Sequence, residues 1–76
     1  MKPTQVTNTI RALRFAHGEM TQAELADRVG VTRQTIIAIE QGRYSPSLEM
    51  AFRIARVFRA GLDDVFQYPD SEGDSS

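Results

Sequence analysis

Twenty residues, Gln22 to Gln41, place two helices and a glycine stop so close together that few arrangements remain. Thr21-Gln22-Ala23-Glu24 is a capping box: the threonine oxygen takes a free N–H of the first turn, and the glutamate reaches back to the cap. Leu25, Ala26 and Val29 form the apolar stripe of that helix, and Gly30 ends it, because glycine takes positive φ without a Cβ clash. Only Val31 separates Gly30 from Thr32, which caps a further helix over Arg33–Gln41. Two helices joined by so short a turn cross steeply and touch beside it. The small residues Ala26 and Gly30 permit that contact, and Ile36 and Ile39 are the matching anchors. The outer face of the second helix is then left free.

The flanking sequence continues the helical pattern. A first helix is expected from Thr7 or Asn8 to His17, with Ile10 and Leu13 inward, Arg14 and His17 continuing that side, and Gly18 as its stop. After the third helix, with Gly42 beyond it, comes a turn, Arg43-Tyr44-Ser45-Pro46. Ser47 then caps a fourth helix with a stripe of Leu48, Ala51, Phe52, Ala55 and Phe58. A short fifth helix is expected over Leu62–Gln67, where Asp63 and Asp64 suit the positive end of the helix dipole. Phe15, Phe52, Phe58 and Phe66 read as core, with room for one at a subunit interface. No strand-like alternation and no repeat is visible. The expectation is an all-α, compact five-helix domain over residues 7–67, with an N-terminal arm over 1–6 and an acidic, disordered tail over 68–76.

Composition narrows the function. Seventy-six residues suit one domain with a small core. The absence of cysteine removes disulfides, thiolate metal sites and cysteine nucleophiles, and fits a reducing, cytoplasmic setting. One histidine, His17, is a poor basis for a zinc site, and no cofactor is implied. No apolar run approaches a membrane span, and Met1-Lys2-Pro3-Thr4-Gln5 lacks the apolar stretch of a secretion signal. No nucleophile–base pair or carboxylate pair is evident, so an enzyme is not expected. The net charge of −1 hides an asymmetry. Residues 1–62 hold all nine basic side chains against five acids, +4, and residues 63–76 hold five acids and no base, −5. Eight of the nine bases are arginine, whose planar fork suits phosphates and guanine edges.

The free face of the third helix begins with Arg33, Gln34 and Thr35, donors of the kind that read guanine and adenine in a major groove. The N-terminus of that helix offers unpaired N–H groups to phosphate. Thr21-Gln22-Ala23-Glu24-Leu25-Ala26, Val29-Gly30-Val31-Thr32-Arg33-Gln34-Thr35-Ile36, Ile39-Glu40-Gln41-Gly42-Arg43 and Ser45-Pro46-Ser47-Leu48 together resemble the helix-turn-helix domains named for the phage Cro and CI repressors and the xenobiotic-response-element regulators. The resemblance spans roughly residues 7–67. It implies a lambda-repressor-like fold and a sequence-specific, double-stranded-DNA-binding transcriptional regulator, a repressor, whose recognition helix (about 33–41) lies in the major groove.

By the same resemblance Arg33, Gln34, Thr35 and Ala38 contact bases. Gln22, Thr32, Gln41, Arg43 and Tyr44 contact phosphates, while Arg14 and Glu40 form an inward structural pair. Ala38 offers only a methyl group, Ile37 is apolar on a face expected to be wet, and Glu19 lengthens the first loop without altering the DNA face. Arg53, Arg56 and Arg59 read as a solvated stripe. The implied partners are a DNA operator and a second copy of the chain in a homodimer, with its contact at Leu62, Phe66 and Tyr68; no membrane or small-molecule ligand is implied. The alternative is an antitoxin-like protein-interaction module of the same fold, its acidic tail binding a protein partner.

Overall fold

A computed structural model describes residues 4–69. In chain order its elements are strand β1 (Thr7–Asn8), helices α1 (Ile10–Ala16), α2 (Gln22–Val29), α3 (Arg33–Glu40), α4 (Leu48–Val57) and α5 (Leu62–Val65), and strand β2 (Phe66–Gln67). Lys2 and residues 70–76, most of the acidic end, lie outside the described residues.

The helix starts follow their caps. The Glu24 amide donates to Thr21 Oγ1 at 3.0 Å and the Thr21 amide to Glu24 Oε1 at 2.8 Å, completing the capping box of α2. The Thr35 amide donates to Thr32 Oγ1 at 3.2 Å, and the Met50 amide to Ser47 Oγ at 3.1 Å. Such caps contribute about 1 kcal/mol each. The stops are equally local. Gly30 sits at φ +88°, which turns the chain so that the Val31 amide reaches back to the Ala26 carbonyl at 3.0 Å. At the end of α3 Gly42 takes φ +74°, its amide donates to Ile39 O at 3.1 Å, and the Arg43 amide donates to Ala38 O at 3.0 Å. That pair of bonds is a Schellman closure.

The buried stripes meet in one core of Ile10, Met20, Leu25, Ala26, Val29, Ile36, Ile39, Ile54, Ala55, Phe58 and Val65. α2 packs on α3 and α4, and α4 packs on α5. Four expectations need correction. Residues 7 and 8 are not helical. They pair antiparallel with β2, Thr7 opposite Gln67 and Asn8 opposite Phe66. The Thr9 amide and hydroxyl extend this strap to Val65 O (2.9 Å) and Asp64 O (2.7 Å). α5 accordingly ends at Val65, and Phe66 turns extended to join the ladder. On α4 the buried set is Ala51, Ile54, Ala55 and Phe58, the three-and-four spacing of one narrow face. Leu48 and Phe52 fall on its exposed side, 66% and 50% accessible. Phe15 is likewise exposed, while Phe58 is buried and Phe66 packs partly against the core.

Candidate nucleic-acid interface

With Ile36 and Ile39 fixed in the core, the 3.6-residue period turns Arg33 and Gln34 to solvent and leaves Thr35, Ile37 and Ala38 half-buried. Neither Arg33 nor Gln34 is covered by the domain's own packing. Thr32 serves as the cap, and its hydroxyl also lies 2.9 Å from that of Thr35, so the two threonines fix each other at the start of α3. The Schellman closure brings Arg43 back beside Ala38. One shallow groove is therefore lined by Gln34, Thr35, Ala38, Arg43 and Tyr44. Arg43 Nε donates to Gln41 Oε1 at 2.7 Å, which orients both side chains just past α3. Ile37 borders this surface and is half-buried.

On the opposite flank a second groove brings Gln22, Arg33 and Gln41 together with Arg11, Phe15 and Glu19. Its floor is ionic. Arg14 donates through Nε to Glu40 Oε2 at 2.8 Å, through one terminal nitrogen to Glu40 Oε1 at 3.0 Å, and through the other to Met20 O at 2.9 Å. The two side chains are only 9% and 10% exposed. This two-pronged, nearly dry pair fastens α1 to the end of α3. Gln22 Nε2 donates to the same Glu40 Oε1 at 3.3 Å, so the pair also holds the first residue of α2.

Of the residues that the sequence assigned to the interface, Gln22, Arg33 and Gln41 line the second groove and Gln34, Thr35, Ala38, Arg43 and Tyr44 the first, while Thr32 lines neither and stands at the cap of α3. Glu19, expected to leave this side unchanged, lines the second groove and takes φ +56° in the loop before Met20. Two residues were missed. Asn8 clamps the site from below: its Oδ1 accepts from the Ile10 amide at 3.2 Å, and its Nδ2 donates to Ile39 O at 3.0 Å. The bond to the amide two residues on is an Asx turn, a habit of asparagine that sequence can offer. Arg11 reaches the same groove as Gln22 and Arg33, which only the packing of α1 reveals. Elsewhere His17 caps α1 by a 2.9 Å contact with Leu13 O, its ring edge-on to Phe58 at 5.2 Å. Arg53 pairs with Glu49 at 3.1 Å on an exposed helix face. Among the described residues no group of three or more His, Asp or Glu could hold a metal ion, and no helix is long and apolar enough to cross a membrane.

Two short capped helices packed together beside Gly30, with the polar side of the second uncovered, define a helix-turn-helix domain. The chain belongs to the Helix-turn-helix (HTH_3) family, whose model matches residues 10–65. It is 52% identical over 63 residues to an uncharacterized HTH-type transcriptional regulator of Archaeoglobus fulgidus, covering 83% of this chain and 89% of the relative. It is 49% identical to one from Methanocaldococcus jannaschii, covering 86% and 97%, and 46% identical to one from Bacillus subtilis, covering 78% and 88%. A crystal structure of a candidate DNA-binding protein from Bacteroides fragilis shares the fold, with a TM-score of 0.70 at 22% identity over 82% of this chain and 98% of that one.

Proposed function

We propose that the protein regulates transcription by binding double-stranded DNA in a sequence-specific way, as a repressor acting by occupancy in the cytoplasm. The observation that carries this is the uncovered start of α3, where Arg33 and Gln34 project from a capped helix, each lining one of the two grooves that flank it. The relatives' names, HTH-type transcriptional regulator, agree with it. In this reading residues 33–41 enter the major groove. Arg33 can meet guanine O6 and N7 with two parallel N–H donors, and Gln34 can pair its amide with adenine N6 and N7. Thr35 and Ala38 present methyl groups to thymine, with the Thr35 hydroxyl kept by the Thr32 cap. Gln22, Thr32, Gln41, Arg43 and Tyr44 hold phosphates on either side and fix the register.

One such domain offers a small interface. Two copies related by a two-fold axis, on half-sites about 34–36 Å apart, provide the affinity an operator needs. Selection of bound duplexes from a random pool is the direct test. It should return a palindrome with that spacing. Alanine at both Arg33 and Gln34 should abolish preference for the selected site yet leave weak, salt-sensitive binding. Equal loss on every sequence would make the two residues phosphate contacts, and a flat response of affinity to salt would remove DNA as the partner.

A further inference from the structure

Phe15 is the one aromatic side chain of α1. It is 53% exposed, yet its ring is engaged by two guanidinium groups, that of Arg11 at 5.4 Å from the centroid and that of Arg14 at 5.7 Å. Arg14 is held by Glu40 and the Met20 carbonyl through three hydrogen bonds. Rigidity therefore passes outward in steps: Glu40 fixes Arg14, Arg14 braces the Phe15 ring, and the ring supports Arg11. Arg11 itself is exposed and has no acidic partner among the described residues. A cation stacked on a ring keeps its head in water while losing little further freedom on meeting an anion.

Arg11 shares its groove with Gln22, Arg33 and Gln41, three residues of the proposed DNA face. The acids of that groove are Glu40, neutralised by Arg14, and Glu19, set against the unpaired Arg11 and Arg33. We infer that Arg11, stacked on Phe15, is a further phosphate-binding site on α1. It would grip the DNA backbone on the Gln22 side of the recognition helix and so lengthen the footprint beyond the helix-turn-helix itself. This rests on the DNA-binding reading above and deepens it. The partner is the phosphodiester backbone, so the site adds affinity and register but no sequence preference.

The test uses the full chain on its selected duplex and on a scrambled duplex, across a salt series. Arg11→Ala should weaken both complexes by the same factor, about fivefold near physiological salt. It should also lower the slope of log affinity against log salt by about 0.9, one phosphate's worth. Arg11→Lys should restore the slope but only part of the affinity. Phe15→Ala, at a site too exposed to hold the core, should keep the melting temperature and lose part of the affinity that Arg11→Ala loses. Ethylation of single phosphates should locate the contact on the Gln22 side. Unchanged affinity and slope in Arg11→Ala, while Arg33→Ala still loses selectivity, would overturn this site alone. An altered base preference in Arg11→Ala would make it a base reader and overturn the phosphate assignment. No salt-dependent binding by the unmodified protein would overturn the underlying DNA reading instead.

Discussion

Arg14 has three polar partners in a pocket that admits almost no water, and alanine there would strand Glu40 and the Met20 carbonyl together. The pair itself adds little net stability over an apolar filling. Breaking it on one side is what costs, about 3–5 kcal/mol. Arg14→Ala should therefore lower the melting temperature by about 12 °C or more, given the sensitivity of a domain this small. Glu40 also holds Gln22, so the same variant, studied in the cold where it is folded, should bind DNA more weakly without changing the preferred bases. A thermal melt and a low-temperature binding curve check the two halves separately. The residue types of this pair follow from the family pattern, whereas the third partner, Met20 O, does not. It depends on how the loop through Gly18 and Glu19 folds back.

At the scale of the element, helix ends decide the geometry of the interface, and two of them can be read against each other. α2 and α4 both finish with a left-handed residue. In α2 it is Gly30, at φ +88°; in α4 it is Arg59, at φ +54°, with Arg59 N to Arg56 O at 3.1 Å and Ala60 N to Ala55 O at 3.0 Å. A Cβ added at Gly30 would meet only Arg53 at 3.7 Å, an ordinary contact, so the penalty of Gly30→Ala is conformational. It should cost about 1–2 kcal/mol. Arg59→Gly relieves the same strain at the equivalent position and should gain about 0.5–1 kcal/mol, after the greater freedom of glycine in the unfolded chain is counted. Urea denaturation of the two variants measures the difference, and opposite signs are the expected result. The glycine stop of α2 was legible because its residue type announces it. The stop of α4 was not: Arg59 read as one member of a solvated stripe, since nothing in an arginine signals positive φ.

Across the whole molecule, the strap between β1 and β2 joins the two ends of the described chain, with Thr7 and Gln67 sixty residues apart. It closes the domain beneath α1 and seats Val65, fully buried, over Ile10 and its neighbours in the core. The core is small, and a domain of this size carries only about 4–11 kcal/mol of total stability. Ile54→Ala, at a side chain with no exposure, should remove about 2–5 kcal/mol of it. The expected signature is a large fall in melting temperature with an unchanged operator preference at low temperature, because Ile54 lies on α4 and touches no assigned contact residue's groove. Loss of selectivity in the folded variant would mean that the orientation of α3 depends on packing more distant than the Arg14–Glu40 clamp.

The caps, the glycine stops and the two apolar faces of α2 and α3 are legible in the residues alone, because each is settled by residues within four positions of one another. Those local rules suffice to place Arg33 and Gln34 outward. The remainder came from long-range packing. A two-residue strand has too little length to show alternation, and its partner lies at the far end of the chain, so no local pattern announces it. The face that α4 buries was chosen by which of several apolar residues its neighbours could accommodate, and that left Leu48 and Phe52 outside. Arg11 and Phe15 came to border the recognition helix only because α1 docks beside it; their spacing is that of any helix, and their position is a property of the packed molecule.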